Sequence, residues 1–108
     1  MDEWKQIKIE GIAKIEKCVG EFEISEYYIS PWQTFKIKVY ESQSGMYTGV
    51  SNLQIKDGDG DFSVFVGNGK TISDALEKTI QCFFERTSRK PKEEWNMEDF
   101  KSSDPYDF

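Results

Sequence analysis

The sequence predicts an α+β domain: an antiparallel β-meander of about four to five strands with one amphipathic α-helix on one face and a short C-terminal helix or tail. Three observations carry this. Residues 34–41 alternate, with Phe35, Ile37 and Val39 on one side and Lys36, Lys38 and Tyr40 on the other, as a half-buried strand does. Two turn signals, Ser42-Gln43-Ser44-Gly45 and Asp57-Gly58-Asp59-Gly60, divide that strand from apolar stretches at 46–56 and 62–66, so the three pair as a meander. From Ile72 the period changes to that of a helix.

The first 30 residues admit two readings. Lys5-Gln6-Ile7-Lys8-Ile9-Glu10 alternates like a strand, whereas Ile12, Ile15 and Val19 also fit a helical face. Gly11 and Gly20 argue for strands broken by turns. Phe22, Ile24 and Tyr28 continue an alternation that Ser30-Pro31 ends, because proline donates no ladder hydrogen bond.

The helix places Ile72, Leu76, Ile80 and Phe83 on one stripe, with Ala75, Thr79 and Phe84 beside it and Glu77, Lys78, Gln81 and Glu85 opposite. Thr71, followed three residues later by Asp74, is a capping pattern. Gly67 and Gly69 read as the positive-φ residues of a strand-to-helix turn. Arg86, Arg89 and Lys90 suit the negative end of the helix dipole, with a cationic patch as their functional alternative.

Two stretches imitate chemical motifs and fail by position. Gly69-Lys70-Thr71 ends like a phosphate-binding loop, but the glycine required five residues earlier is Val64. Asp57, Asp59 and Asp61 open like a calcium loop, but its sixth and twelfth places hold Phe62 and Asn68 instead of Gly and Glu. No metal site and no cofactor are expected. Histidine is absent, which removes Ser-His and Cys-His pairs and imidazole ligands. Cys18 and Cys82 have no CxxC spacing and read as buried thiols rather than a disulfide. No catalytic residue is assigned. With no long apolar run and an acidic, polar start, Met-Asp-Glu-Trp-Lys, the expected compartment is the cytoplasm, away from membranes.

Charge divides the chain into a domain, residues 1–91, and a tail, residues 92–108. The first holds 12 basic and 14 acidic residues, net −2; the second holds 2 and 6, net −4. Lys92-Glu93-Glu94-Trp95-Asn96-Met97-Glu98-Asp99-Phe100 fits a short helix after Pro91, and Asp104-Pro105-Tyr106-Asp107-Phe108 reads as extended. Aromatics among carboxylates suit a groove that is apolar at its centre and basic at its rim, so Glu93, Glu94, Trp95, Glu98, Asp99, Phe100, Tyr106 and Phe108 are the candidate partner-binding residues. The usual behaviour of large apolar residues favours Trp95, Met97 and Phe100 folding back onto the domain's own sheet, so the tail is expected to dock on the domain.

Phe35-Lys36-Ile37-Lys38-Val39, Gly45-Met46-Tyr47, Ser51-Asn52-Leu53, and Gly67-Asn68-Gly69-Lys70-Thr71 followed by Asp74-Ala75-Leu76-Glu77 together resemble the HicB-like antitoxin fold, itself related to the double-stranded-RNA-binding domain. The resemblance covers residues 34–87. This chain departs from it by inserting residues 54–65 where the family has a short Pro-Gly-Cys connection, and it shows no C-terminal DNA-binding domain. The resemblance implies a protein that neutralises a partner by covering its active surface. RNA-binding relatives place a lysine cluster where this chain has Lys70-Thr71-Ile72-Ser73-Asp74. A sequence pI near 4.7 argues against direct nucleic-acid binding and for a protein partner, a basic nucleic-acid-binding protein being one class.

The expected function is a non-enzymatic protein-binding module, a small acidic inhibitor or neutraliser. The alternatives are a structural subunit of a larger assembly and a small carboxylate-dependent enzyme. Removing residues 92–108 is expected to weaken partner capture and leave the fold standing.

Overall fold

A computed structural model describes residues 3–27 and 29–108. Four strands, β1 (Glu16–Ser25), β2 (Thr34–Ser42), β3 (Tyr47–Lys56) and β4 (Phe62–Gly69), form an antiparallel meander in the order β1-β2-β3-β4. Helix α1 (Ile72–Thr87) lies across one face, and a short strand β5 (Phe100–Ser102) returns to pair with β3. The α+β class and the three-strand meander expected from the sequence are both present.

Sequence alternation explains which face of the sheet is covered. Phe35, Ile37 and Val39 of β2, Leu53 and Ile55 of β3, and Phe65 of β4 are all at most 3% exposed and meet Phe83 of α1. The rings of Phe35, Phe65 and Phe83 stand within 4.9 to 5.9 Å of one another, in tilted and edge-on arrangements that aromatic pairs favour. Thr71 caps the helix as the sequence implied, its hydroxyl accepting from the Asp74 amide at 3.0 Å.

The inner stripe of the helix differs from the expected one. Ala75, Thr79, Phe83 and Thr87 are buried, whereas Ile72, Leu76 and Ile80 pack at the flanks and Phe84 is 49% exposed. The cause lies in the sheet. Gly49, Gly67 and Gly69 face the helix, and a Cβ on Gly67 would stand 2.7 Å from the Lys78 carbonyl carbon and collide with the Thr79 amide. One on Gly49 would come within 3.1 Å of the Ala75 carbonyl oxygen. The helix sits nearly on the strand backbone there, so only small residues fit beneath it. Gly67 and Gly69 are therefore strand residues without positive φ, not parts of a turn; their role is close approach.

The sequence pattern over residues 5–10 does not make a strand. Glu3–Gln6 form a 3-10 turn and residues 7–15 are irregular, with Ile7, Ile9 and Ile12 exposed. Gln43 holds this arm by donating to the Trp4 and Ile7 carbonyls, and Lys5 pairs with Glu41. Those anchors are polar and involve main chain, which hydrophobic periodicity does not register. Cys18 is exposed and Cys82 half-buried, both free, so the expectation of two buried thiols is not met for Cys18. Tyr28 lies outside the described residues.

In the loop before β2, Glu26 is buried and accepts from the Ile29 and Ser30 amides, which fixes the loop at this end of the sheet. At the opposite end, Gly45 takes φ 87° and closes the β2-β3 turn through its amide to the Ser42 carbonyl.

β3 is the central strand. It pairs with β4 on one side, and on the other with β2 along its first half and β5 along its second. Residues 51–53 bulge against β4, opposite Phe65 alone, and the buried Ser51 hydroxyl fills the gap by accepting from the Phe65 amide and donating to the Leu53 carbonyl. Asn52 joins the two neighbours: its side-chain oxygen accepts from the Lys36 amide and its carbonyl from the Ser103 amide.

Substituting Gly67→Ala is expected to lower unfolding free energy by about 3 kcal/mol, because overpacking here meets helix backbone that cannot yield locally. Gly58→Ala, where an added methyl meets open space, should stay within about 0.5 kcal/mol. Urea unfolding of both variants checks this, and equal effects would contradict the close approach.

Candidate partner-binding surface

The tail after Pro91 forms two 3-10 turns, Lys92–Glu94 and Met97–Asp99, rather than one helix, and then enters β5. Asn96 ends the helical possibility by acting as a cap: its side chain accepts from the Glu98 amide while Asp99 accepts from the Asn96 amide. Residues 104–108 turn instead of extending, with the Asp104 carboxylate accepting from the Tyr106 amide and its carbonyl from the Asp107 amide.

These turns separate the candidate residues. Phe100 is 5% exposed and belongs to the core, and half-buried Trp95 packs against it with ring centroids 5.4 Å apart. Trp95 Nε1 donates to the Thr87 carbonyl at 2.9 Å, so the indole satisfies an acceptor at the end of α1. Asp99 pairs with Lys90, whose ammonium also stands 4.4 Å from the Trp95 ring centroid. Trp95, Asp99 and Phe100 thus hold the tail to the domain. Cutting the chain before residue 92 would strip Phe100 from the core and β5 from β3, so the truncation expected to spare the fold would expose its interior.

Glu93, Glu94 and Glu98 are exposed beside this anchor. Tyr106 is 97% exposed, and Phe108 lies elsewhere, on the sheet face away from the core, where Lys38 donates to its main-chain oxygen at 2.7 Å and covers its ring. The structure therefore keeps the three glutamates near Trp95 and separates them from Phe108.

Around Trp95 the surface is concave on three sides. One hollow of about 310 Å³ is lined by Ile29, Pro31, Trp95 and Met97, and another of about 290 Å³ by Ile29, Phe84, Thr87 and Trp95. The third is a cleft of about 430 Å³ at the β3-β4 turn, with Arg86, Arg89 and Lys90 along it. Met97, at 70% exposure, stands at the first hollow, which Ser30 and Asn96 make partly polar, and Phe84, at 49%, stands at the second, which is mostly apolar. This pattern of an anchored indole and two exposed apolar side chains, with exposed glutamates in the tail and Lys90 and Lys92 at the second hollow, resembles the centre and edge of a protein interface.

The sequence pattern did not single out Phe84, Ile29 or Met97 for this surface. Phe84 had a readable signal: about 100° of helical rotation divides it from Phe83, so both rings cannot face the sheet. Ile29 arrives through the Glu26-fixed loop, a long-range placement with no periodic signature.

Arg86 is not simply solvated at the helix end. Its guanidinium donates to the carbonyls of Ile55, Ser63 and Val64 and lies 5.2 Å from the Phe65 ring centroid, closing the end of the β3-β4 pair. Burial lowers its pKa, Arg89 adds repulsion in the same direction, and Cys82 and Asp57 oppose them. The Asp57 carboxylate accepts from the Asp59 and Asp61 amides and shapes the turn. Among the described residues, no three carboxylate or cysteine side chains converge on a common metal position. Nor is any helix among them long and apolar enough to cross a membrane.

Comparison with protein-family models, curated proteins and solved structures finds no match to this chain.

Trp95→Phe is expected to cost about 1 kcal/mol, since it leaves the Thr87 carbonyl without its donor. Met97→Ala should remain within about 0.5 kcal/mol. Thermal unfolding followed by circular dichroism separates them, and an equal loss in both would contradict the division between anchor and exposed surface.

Proposed function

We propose that this chain is a non-enzymatic protein-binding module that captures a partner on the surface around Trp95. The observation that carries the reading is the exposure of Phe84 and Met97 beside a fixed indole, with the exposed Glu93, Glu94 and Glu98 in the same tail segment as Trp95 and Met97. Large apolar side chains at the centre of an interface supply most of its free energy, and charges at the rim mainly steer encounter and select the partner.

The tail segment that carries Trp95 and Met97 is acidic, as is the chain, at net −6, so a basic partner is the complementary one for that side of the surface, whereas Lys90 and Lys92 line the hollow beside Phe84. In its sharpest form the module neutralises that partner by covering a basic surface, and nucleic-acid-binding proteins are a class with such surfaces. The likeness of residues 34–87 to HicB-like antitoxins supports the same reading. Recognition would combine apolar burial, insensitive to salt, with a charge contribution that weakens as ionic strength rises.

The test is affinity capture from a lysate of the source cells at low and high salt, using the wild-type chain, a Phe84→Ser/Met97→Ser variant and a Glu93→Lys/Glu94→Lys/Glu98→Lys variant. All five positions are exposed, so the fold should persist. The expected result is a basic protein retained by the wild type, reduced at high salt and lost by both variants. The same retained proteins in all three samples would overturn the reading.

A further inference from the structure

We propose that the 430 Å³ cleft between the β3-β4 turn and the end of α1 binds a small ligand carrying a multiply charged phosphate group. Lys56, Arg86, Arg89 and Lys90 line it against only two carboxylates, Asp57 and Asp99. The formal balance is positive in a chain whose net charge is −6.

The partners within the cleft show which charges are already committed. Arg86 donates to three main-chain carbonyls, and Lys90 pairs with Asp99 at 3.4 Å. Asp99 also accepts from the Asn96 amide, while Asp57 accepts from two amides of its own turn. The side chains of Lys56 and Arg89 make neither an ion pair nor a hydrogen bond among the described residues. The Gly58 amide, on the same wall, has no acceptor there either.

The donors left over are therefore an ammonium, a guanidinium and a main-chain N–H. A phosphate group offers several acceptor oxygens and more than one negative charge, and a guanidinium fork can bind two of those oxygens together. The volume lies in the range of small-ligand sites, and Ile55 and Trp95 supply apolar wall that limits screening by water. An anion beside Arg89 would also offset its repulsion of Arg86. This site shares Trp95 with the partner surface, but Lys56 and Arg89 line neither of the other two hollows, so substituting them tests it separately from partner capture.

Calorimetric titration of the intact chain with sodium pyrophosphate tests the assignment, with sodium chloride holding ionic strength constant. A thermal-shift series on the same samples provides a second readout. Saturable binding is expected, together with a pyrophosphate-dependent rise in melting temperature. Each of Arg89→Gln and Lys56→Gln should weaken affinity about tenfold. Both side chains are exposed and uncommitted, so the unliganded melting temperature should change little. Absence of saturable binding at millimolar pyrophosphate, a stabilisation matched by sodium chloride alone, or unchanged affinity in a combined Arg89→Gln/Lys56→Gln variant would each overturn the site.

Discussion

The close approach of α1 to the glycine-lined strands sets the position of nearly everything else. Gly49, Gly67 and Gly69 leave no side chain between helix and sheet, and Ala75 and Thr79 occupy the resulting narrow space. Farther along, the glycines give way to Phe65, and Phe83 enters the wider gap against it and Phe35. Helix depth and axial position are thereby fixed together. That placement brings the Arg86 guanidinium to the carbonyls at the end of the β3-β4 pair and leaves the Thr87 carbonyl where Trp95 reaches it. The helix end is then part of a polar junction rather than a free terminus.

The second half of β3 makes the tail structural as well. Where β2 parts from β3, Asn52 bonds to both β2 and the chain after β5, and β5 takes over the vacant edge of β3. Phe100 follows into the core, and its burial favours the docked tail by about 2 kcal/mol on transfer alone. Because the attachment uses one face of the tail, the other remains outward. Glu93, Glu94, Glu98 and Met97 are presented from a fixed support, which reduces the ordering cost a mobile tail would pay on binding.

The sequence made the meander legible because β2 alternates strictly and both turns carry Gly with Asp or Ser. It also marked the start of α1 through Thr71 and Asp74. The helical stripe was rotated from the expected one because periodicity ranks residues by hydrophobicity, whereas the sheet at Gly67 and Gly69 selects them by size. The alternation at residues 5–10 makes no strand for a related reason: Ile7 and Ile9 are exposed, and the segment is attached by Gln43 and Glu41 from distant positions. In the tail, composition pointed to aromatics and carboxylates without separating their roles. Trp95 and Phe100 are held inward by Thr87, Lys90 and β3, contacts between residues far apart in the chain or dependent on a turn at Asn96. Phe84 entered the surface through helix phase, and Ile29 through a loop shaped by one buried carboxylate.

Exposed glutamates, exposed apolar side chains and the cationic cleft meet at one end of the molecule, beside the β1-β2 loop and the end of α1. The β2-β3 turn, where Met46 is 43% exposed, lies at the opposite end of the same strands and offers a matched control position. Photocrosslinking from a benzoylphenylalanine placed singly at position 97 or at position 46, in the presence of lysate, tests directly which end meets a partner. The account predicts a discrete adduct from position 97, suppressed by excess unlabelled chain, and none from position 46. A competable adduct from position 46 with none from position 97 would contradict it.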